Sequence, residues 1–211
     1  FIVETVKLNP SGYNPLAASV LVNLPTFGRV KVTVRGKAGS AADISHLCNT
    51  QTPSQSVPVF GLYPDFDNEV VLTYTDKGGK ERGSTSIRIK TDKLPDNFPM
   101  PHLVNSVPSK MEPGVNLINY LGESAIDLSK PYMVDASGDI RWVLLLNSSP
   151  ELNRLAADIG FHRTKKGTLI AGDVSLPRIV ELDMFGNLLR QWDLTQFGYT
   201  FHHDIYEMEN G

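Results

Sequence analysis

The sequence predicts an all-β protein: an N-terminal immunoglobulin-like β-sandwich, then the first blades of a β-propeller that is incomplete within the chain. Three observations carry this reading. Short runs rich in Val, Ile, Thr and aromatic residues are punctuated by Gly (17) and Pro (14), the mark of strands joined by turns. Runs in the first half alternate apolar and polar residues, as a sheet with one face in a core and one in water requires. Two segments of the second half resemble each other at a spacing suited to a repeated small sheet. One stretch, Pro150 to Ile159, holds a helical period instead, with Leu152, Leu155, Ala156 and Ile159 on one face. Ser149 can cap it, Pro150 can open it and Gly160 can end it.

The elements follow in order. Ser19–Leu24 is a strand ended by Pro25, and Arg29–Arg35 places Val30, Val32 and Val34 on one face. Val57–Leu62 carries Pro58, which restricts it to an edge or a strand start. Glu69–Thr75 leads through Asp76-Lys77-Gly78-Gly79-Lys80, a hairpin turn by composition, into Gly83–Ile89 with Ile87 and Ile89 inward. These strands compose a sandwich over residues 1–93, a fold that by itself reads as a structural or docking module. Residues 94–113 contain Pro95, Pro99, Pro101, Pro108 and Pro113, which favour an extended strap, and Phe98, Met100, Leu103 and Val107 expect something to pack on. Residues 114–211 are then the start of the propeller domain.

Met133 to Trp142 and Glu181 to Trp192 both read apolar-Asp-x-x-Gly, then apolar residues, then Arg and Trp, with Asp135 and Asp183 48 residues apart. Polar turns at Arg163–Leu169 and Glu207–Gly211 interleave with them, with Gly167 and Gly211 44 residues apart. A hairpin repeat of this length fits propeller blades, which must cover each other's faces. Trp142 and Trp192 would fill the space between sheets. Two unrelated hairpins that share turn chemistry are the other reading. About a hundred residues cannot close a ring of typically 4–8 blades, so the remainder of the propeller is expected outside this chain.

Composition narrows the function. The chain has 211 residues, 41% hydrophobic and 20% charged, with a net charge of −3. It can build a core, and no Lys/Arg run exceeds two residues, so no nucleic-acid partner is expected. No apolar run approaches the roughly 18 residues of a membrane helix, so no membrane partner is expected. Phe1-Ile2-Val3-Glu4-Thr5 lacks the basic start and cleavage site of an export signal, so any signal has been removed or never existed. Cys48 is the sole cysteine, which excludes an internal disulfide and a cysteine-based metal site.

No nucleophile elbow, phosphate loop or dinucleotide fingerprint occurs. Gly36-Lys37-Ala38-Gly39-Ser40 lacks phosphate-loop spacing and reads as a sandwich loop; Asn147-Ser148-Ser149 fits a glycosylation acceptor. His46 and His102 read as packing or surface residues, and His162, before a polar turn, as exposed. His202-His203-Asp204 stands at the start of what would be the innermost strand of a new blade, where the central channel lies. Side chains alternate along a strand, so only one of His202 and His203 can face that channel without a bulge. This weakens a metal cluster and leaves either a packed imidazole or one able to act as acid, base, nucleophile or anion donor. No cofactor is implied.

The chain resembles the bacterial, PAPS-independent arylsulfate sulfotransferases. The likeness rests on Val30–Lys37 and Val57–Tyr63 in the first half, then on Val134–Trp142, Gly167–Ala171 and Glu181–Gly186. Its most specific part is His203, followed by Asp204 and, seven positions after the histidine, Asn210-Gly211. The resemblance implies a sandwich followed by a six-bladed propeller, in a homodimer exported to the periplasm. It implies transfer of a sulfuryl group from a phenolic sulfate ester to a phenol acceptor, by a ping-pong route through a sulfohistidine located outside this chain, with no nucleotide cofactor. It assigns His203 to holding the sulfuryl oxygens, while the nucleophilic histidine, another histidine and an arginine lie in later blades. Cys48 does not match the family's paired cysteines, and Asp204 stands where a relative has glutamate. This chain alone is therefore expected to be inactive. The alternative from another class is a non-catalytic sandwich-and-propeller binding module.

Overall fold

The computed structural model describes residues 1–49, 52–120, 130–153, 155, 160–173, 176–199 and 205–209. Among them the regular structure is strand, with helix only as short 3-10 turns. The chain divides into two compact units. The first comprises Phe1–Pro10, Pro15–Asn116 and Met133–Trp142; the second comprises Ser11–Asn14, Leu117–Tyr132 and Val143–Gly211.

The first unit is built on an immunoglobulin-like sandwich. Its strands are β1 (Ile2–Leu8), β2 (Ala17–Asn23), β3 (Gly28–Val34), β4 (Ile44–Asn49), β5 (Ser54–Phe60), β6 (Asp67–Asp76) and β7 (Glu81–Lys90). They form two antiparallel sheets, ordered β1-β2-β5 and β4-β3-β6-β7. Period two drives the packing, because alternate side chains leave the sheet on opposite faces. Val30, Val32 and Val34 of β3 and Asn68, Val70, Leu72 and Tyr74 of β6 are buried, as are Val20, Val22, Val57 and Val59 of the other sheet. Pro58 lies opposite Ser19 on β5, at the sheet edge where a missing N–H is tolerated. Of the strap residues, Phe98 is buried, Leu103 packs on Gly138, and Met100 and Val107 are exposed.

Two edge strands, β1 and β4, escape the sequence reading. A register shift between Val3 and Thr5 breaks the alternation of β1, and β4 buries none of its residues fully. An edge strand that is bulged or half-solvated carries little of the apolar period on which sequence reading depends.

Beyond the sandwich, β8 (Asn116–Tyr120), β9 (Lys130–Val134) and β10 (Ile140–Val143) form a sheet ordered β10-β9-β8. Strands β11 (Phe161–Arg163), β12 (Leu169–Asp173), β13 (Arg178–Leu182) and β14 (Leu188–Asp193) form a four-stranded antiparallel meander. Leu169, Ala171, Val180 and Leu182 are buried on one of its faces, and the same unit buries Leu144, Leu146, Leu152 and Leu155. The helical stretch expected over 150–159 lies partly outside the described residues. What is described there is a turn: Ser149 Oγ accepts the Leu152 N–H at 3.2 Å, and Asn153 N–H donates to Ser149 O at 3.0 Å. Ser149 thus makes the side-chain bond expected of it, within a turn.

One hairpin turn recurs. At Asp135 and at Asp183, the aspartate N–H donates to the carbonyl four residues on, and the N–H of Gly138 or Gly186 donates back to the aspartate carbonyl, all at 3.0 Å. Oδ1 accepts two further amides in each, from Ser137 and Asp139 or from Phe185 and Asn187. Gly138 and Gly186 take φ of 80° and 90°, left-handed values that an L side chain resists. Thr164 replaces the aspartate in a third copy, with Oγ1 accepting the Thr168 N–H. The fourth copy, at Asp76, joins β6 to β7 inside the sandwich. The turn is thus general hairpin chemistry and does not by itself mark a repeat.

Candidate functional site

His203 lies outside the described residues, as do His202, Asp204, Asn210 and Gly211. The stretch that follows it, Ile205 to Glu209, is described and is held by the β11–β12 hairpin. Thr164 closes that turn and presents the backbone of Lys165, whose N–H donates to Glu207 Oε2 at 2.8 Å. Lys165 Nζ donates to Glu209 O at 3.2 Å. The ring of His162 lies 6.2 Å from that of Tyr206 at 48°. His162 is therefore half-buried, where the sequence expected it exposed. Its neighbour Tyr206 comes from a segment whose course no local pattern announces.

Beside this segment the meander carries an open groove of about 640 Å³, lined among others by Ile170, Ile179, Trp192, Phe197 and Ile205. Gly198, at φ 68°, ends the short 3-10 turn that sets Phe197, and Phe197 stacks on Tyr199 at 6.4 Å and 22°. Asp193 accepts the Thr195 N–H at 2.8 Å, and its carboxyl is held below the usual range by hydrogen bonds from the Thr195 side chain first and its backbone second. The aromatic and aliphatic part of this lining suits a ring, and Gln191, Asp193 and Gln196 are its polar members.

The remaining titratable candidates resolve into packing or surface. His46 Nε2–H donates to Pro58 O at 2.8 Å, and the ring leans on Phe60 at 5.9 Å. Burial lowers its pKa, opposed by the Pro58 bond. His102 is exposed. Burial pushes the free Cys48 thiol up, so it is a poor thiolate nucleophile. Among the described residues, no group of three or more His, Cys, Asp or Glu could hold a metal ion.

Sequence reasoning missed a fully buried charge. Arg141 has a side chain at 0% exposure. Its Nε donates to Gly61 O at 2.9 Å, and its Nη1 donates to Ala42 O at 3.1 Å and to Asp135 Oδ2 at 2.8 Å. Its guanidinium carbon lies 3.8 Å from the Tyr63 ring centre. A signal was available: Arg141 interrupts the otherwise apolar run Ile140-Arg141-Trp142-Val143-Leu144, and a charge within a buried strand must find partners.

Comparison with known proteins supplies the family. The arylsulfotransferase Ig-like domain model matches residues 5–92, and the arylsulfotransferase (ASST) model matches residues 102–211. The arylsulfate sulfotransferase AssT of Lelliottia amnigena is 24% identical over an alignment 248 positions long, gaps included, that covers 98% of this chain and 41% of that protein. The arylsulfate sulfotransferase AssT of Escherichia coli O6:H1 (strain CFT073) matches with the same identity and coverage. The chain thus spans about 41% of the length of these curated relatives. With family models matched along both halves, the chain belongs to the arylsulfotransferase family.

Proposed function

We propose that this chain is the N-terminal part of an arylsulfate sulfotransferase that moves a sulfuryl group from a phenolic sulfate ester to a phenol acceptor. The observation that carries the reading is the family match through residues 5–92 and 102–211, with AssT proteins aligned along 98% of the chain. In this reading the meander β11–β14 is one blade of a six-bladed propeller. His203 begins the innermost strand of the next blade, and the whole protein works as a homodimer in the periplasm.

The chemistry is a ping-pong transfer. A neutral imidazole outside this chain attacks the donor's sulfur; the S–N bond forms as the ester S–O bond breaks, and the phenolate leaves. The acceptor's phenolic oxygen then attacks the same sulfur. An S–O bond forms, the S–N bond breaks, the acceptor's proton is released and the imidazole is regenerated. Imidazole suits both steps because it is nucleophilic near neutral pH and is a good leaving group once sulfated. Charge gathers on the sulfuryl oxygens in each transition state. His203 donates to those oxygens, a contribution of about 10²–10³ in rate for one well-placed donor.

The test uses the complete protein with p-nitrophenyl sulfate and phenol, read by p-nitrophenolate release. His203→Ala is expected to lower kcat by about 10²–10³, and His202→Ala to leave it near wild type. Equal effects of the two substitutions overturn the assignment of His203. The 211-residue chain alone is expected to give no turnover, and turnover by it would remove the need for a nucleophile elsewhere. A complete protein inactive on every phenolic ester would favour the binding-module alternative.

A further inference from the structure

We infer that the sandwich and the hairpin around Asp135 open and close as one cooperative unit, and that Arg141 is the residue that fastens them. A buried guanidinium loses its hydration and is stable only where charge and hydrogen bonds replace it. Here the replacements come from separate parts of the chain: Asp135 from the hairpin itself, Ala42 O from the loop before β4, and Gly61 O from the end of β5. Tyr63 adds its ring face. Nη2 has no hydrogen-bond partner among the described residues, so the fixed contacts must offset that cost as well.

The receptor for this arginine is built by the sandwich. Gly61 takes φ +94°, and a Cβ there would meet Ile44 at 3.0 Å, so the carbonyl that faces Arg141 depends on glycine. Buried Asn68 accepts the Tyr63 N–H at 2.8 Å and donates to Tyr63 O at 3.1 Å. Thr91 Oγ1 also donates to Tyr63 O, at 2.5 Å, and the Tyr63 hydroxyl accepts the Lys37 N–H at 3.1 Å. Residues of β6, of the segment after β7 and of the 36–40 loop thus hold the surface on which the guanidinium lies. From the other side, Ser106 Oγ donates to Ala136 O at 2.7 Å, so the proline-rich strap grips the same turn. A hairpin held this way should not open before the sandwich does.

Native-state hydrogen exchange on the full chain tests this. In the wild type, amides of Met133–Trp142 should exchange with the same opening equilibrium as the interior amides of β3 and β6. Arg141→Met should lower protection about tenfold or more both in the hairpin and in Gly61–Phe66, and change the β12–β13 amides much less. Arg141→Lys should behave like Arg141→Met, because an ammonium cannot bridge the same acceptors. If Arg141→Met does not fold, Asp135→Asn takes its place; it keeps the turn's acceptor, removes only the charge opposite Arg141, and should give the same joint loss in smaller measure. Hairpin amides that open independently in the wild type overturn the inference. So does a variant whose loss of protection is confined to the hairpin.

Discussion

The hairpin from β9 to β10 and the hairpin from β13 to β14 carry the same turn and meet different fates. In the first, Asp135 Oδ2 takes Arg141, and Trp142 beside it is 2% exposed. In the second, Asp183 Oδ2 takes the Asn187 amide at 2.8 Å. Arg190 there is 61% exposed, pairs with Glu181 at 3.0 Å and lies 5.4 Å over Trp192, itself 41% exposed. Arginine and tryptophan follow the turn in both, so the local pattern does not decide which pair enters a core. Neighbours decide. The first hairpin sits within the sandwich's own unit, whereas β14 is the last strand of its sheet. The second turn is gripped elsewhere: Ser11 Oγ donates to Phe185 O at 2.6 Å, and Asn14 Nδ2 donates to Met184 O at 3.1 Å. The sequence reading placed both tryptophans between sheets; among the described residues only Trp142 is enclosed.

The largest expected difference lies in those tryptophans. Trp142→Ala should cost about 3–5 kcal/mol, whereas Trp192→Ala in this chain should cost about 1 kcal/mol or less, both read from urea midpoints. Equal losses would break the contrast. The glycines sharpen it further. Gly138→Ala and Gly186→Ala each place a side chain at positive φ, worth about 1 kcal/mol. At Gly186 a Cβ would also meet Leu144 Cδ2 at 2.8 Å and Tyr13 at 3.3 Å, and Leu144 is fully buried. At Gly138 the three nearest atoms all belong to the exposed Leu103, the closest at 3.1 Å. Gly186→Ala should therefore lose about 1–3 kcal/mol more than Gly138→Ala, and the reverse order would show that the second turn is the looser of the two.

The smallest effect separates the units by pH. Burial holds the pKa of His46 below its ordinary 6.5, so the unfolded chain binds the proton first on acidification. The stability from neutral His46 is complete above pH 6.5 and declines as pH falls toward the lowered native value. In single-tryptophan variants, Trp142 reports on the unit that contains His46 and Trp192 on the other. Mild acid should lower the urea midpoint seen by Trp142 and not that seen by Trp192, and His46→Gln should abolish the difference. A shift shared by both probes would show that the two units unfold together.

Where a residue's neighbours in sequence are also its neighbours in force, the pattern was readable. Strands β2, β3, β5, β6 and β7 stood out because alternate positions face one core, and the Asp and Thr turns because each closes on its own amides. Strand β1 did not, because its bulge resets the alternation. His203 was singled out from His202 by family resemblance alone, since strand alternation treats the two alike.

The amino-acid order by itself determined the all-β character, the sandwich strands with a core-facing period, the repeated turn chemistry and the Ser149 cap, because each depends on residues a few positions apart. Only the tertiary structure decided that Arg141 is buried and Arg190 exposed, that Asn68 and Thr91 brace Tyr63, and that Ser11 and Asn14 hold a turn some 170 residues away. Burial and long-range hydrogen bonding depend on which surfaces meet, and a one-dimensional period carries no record of that meeting.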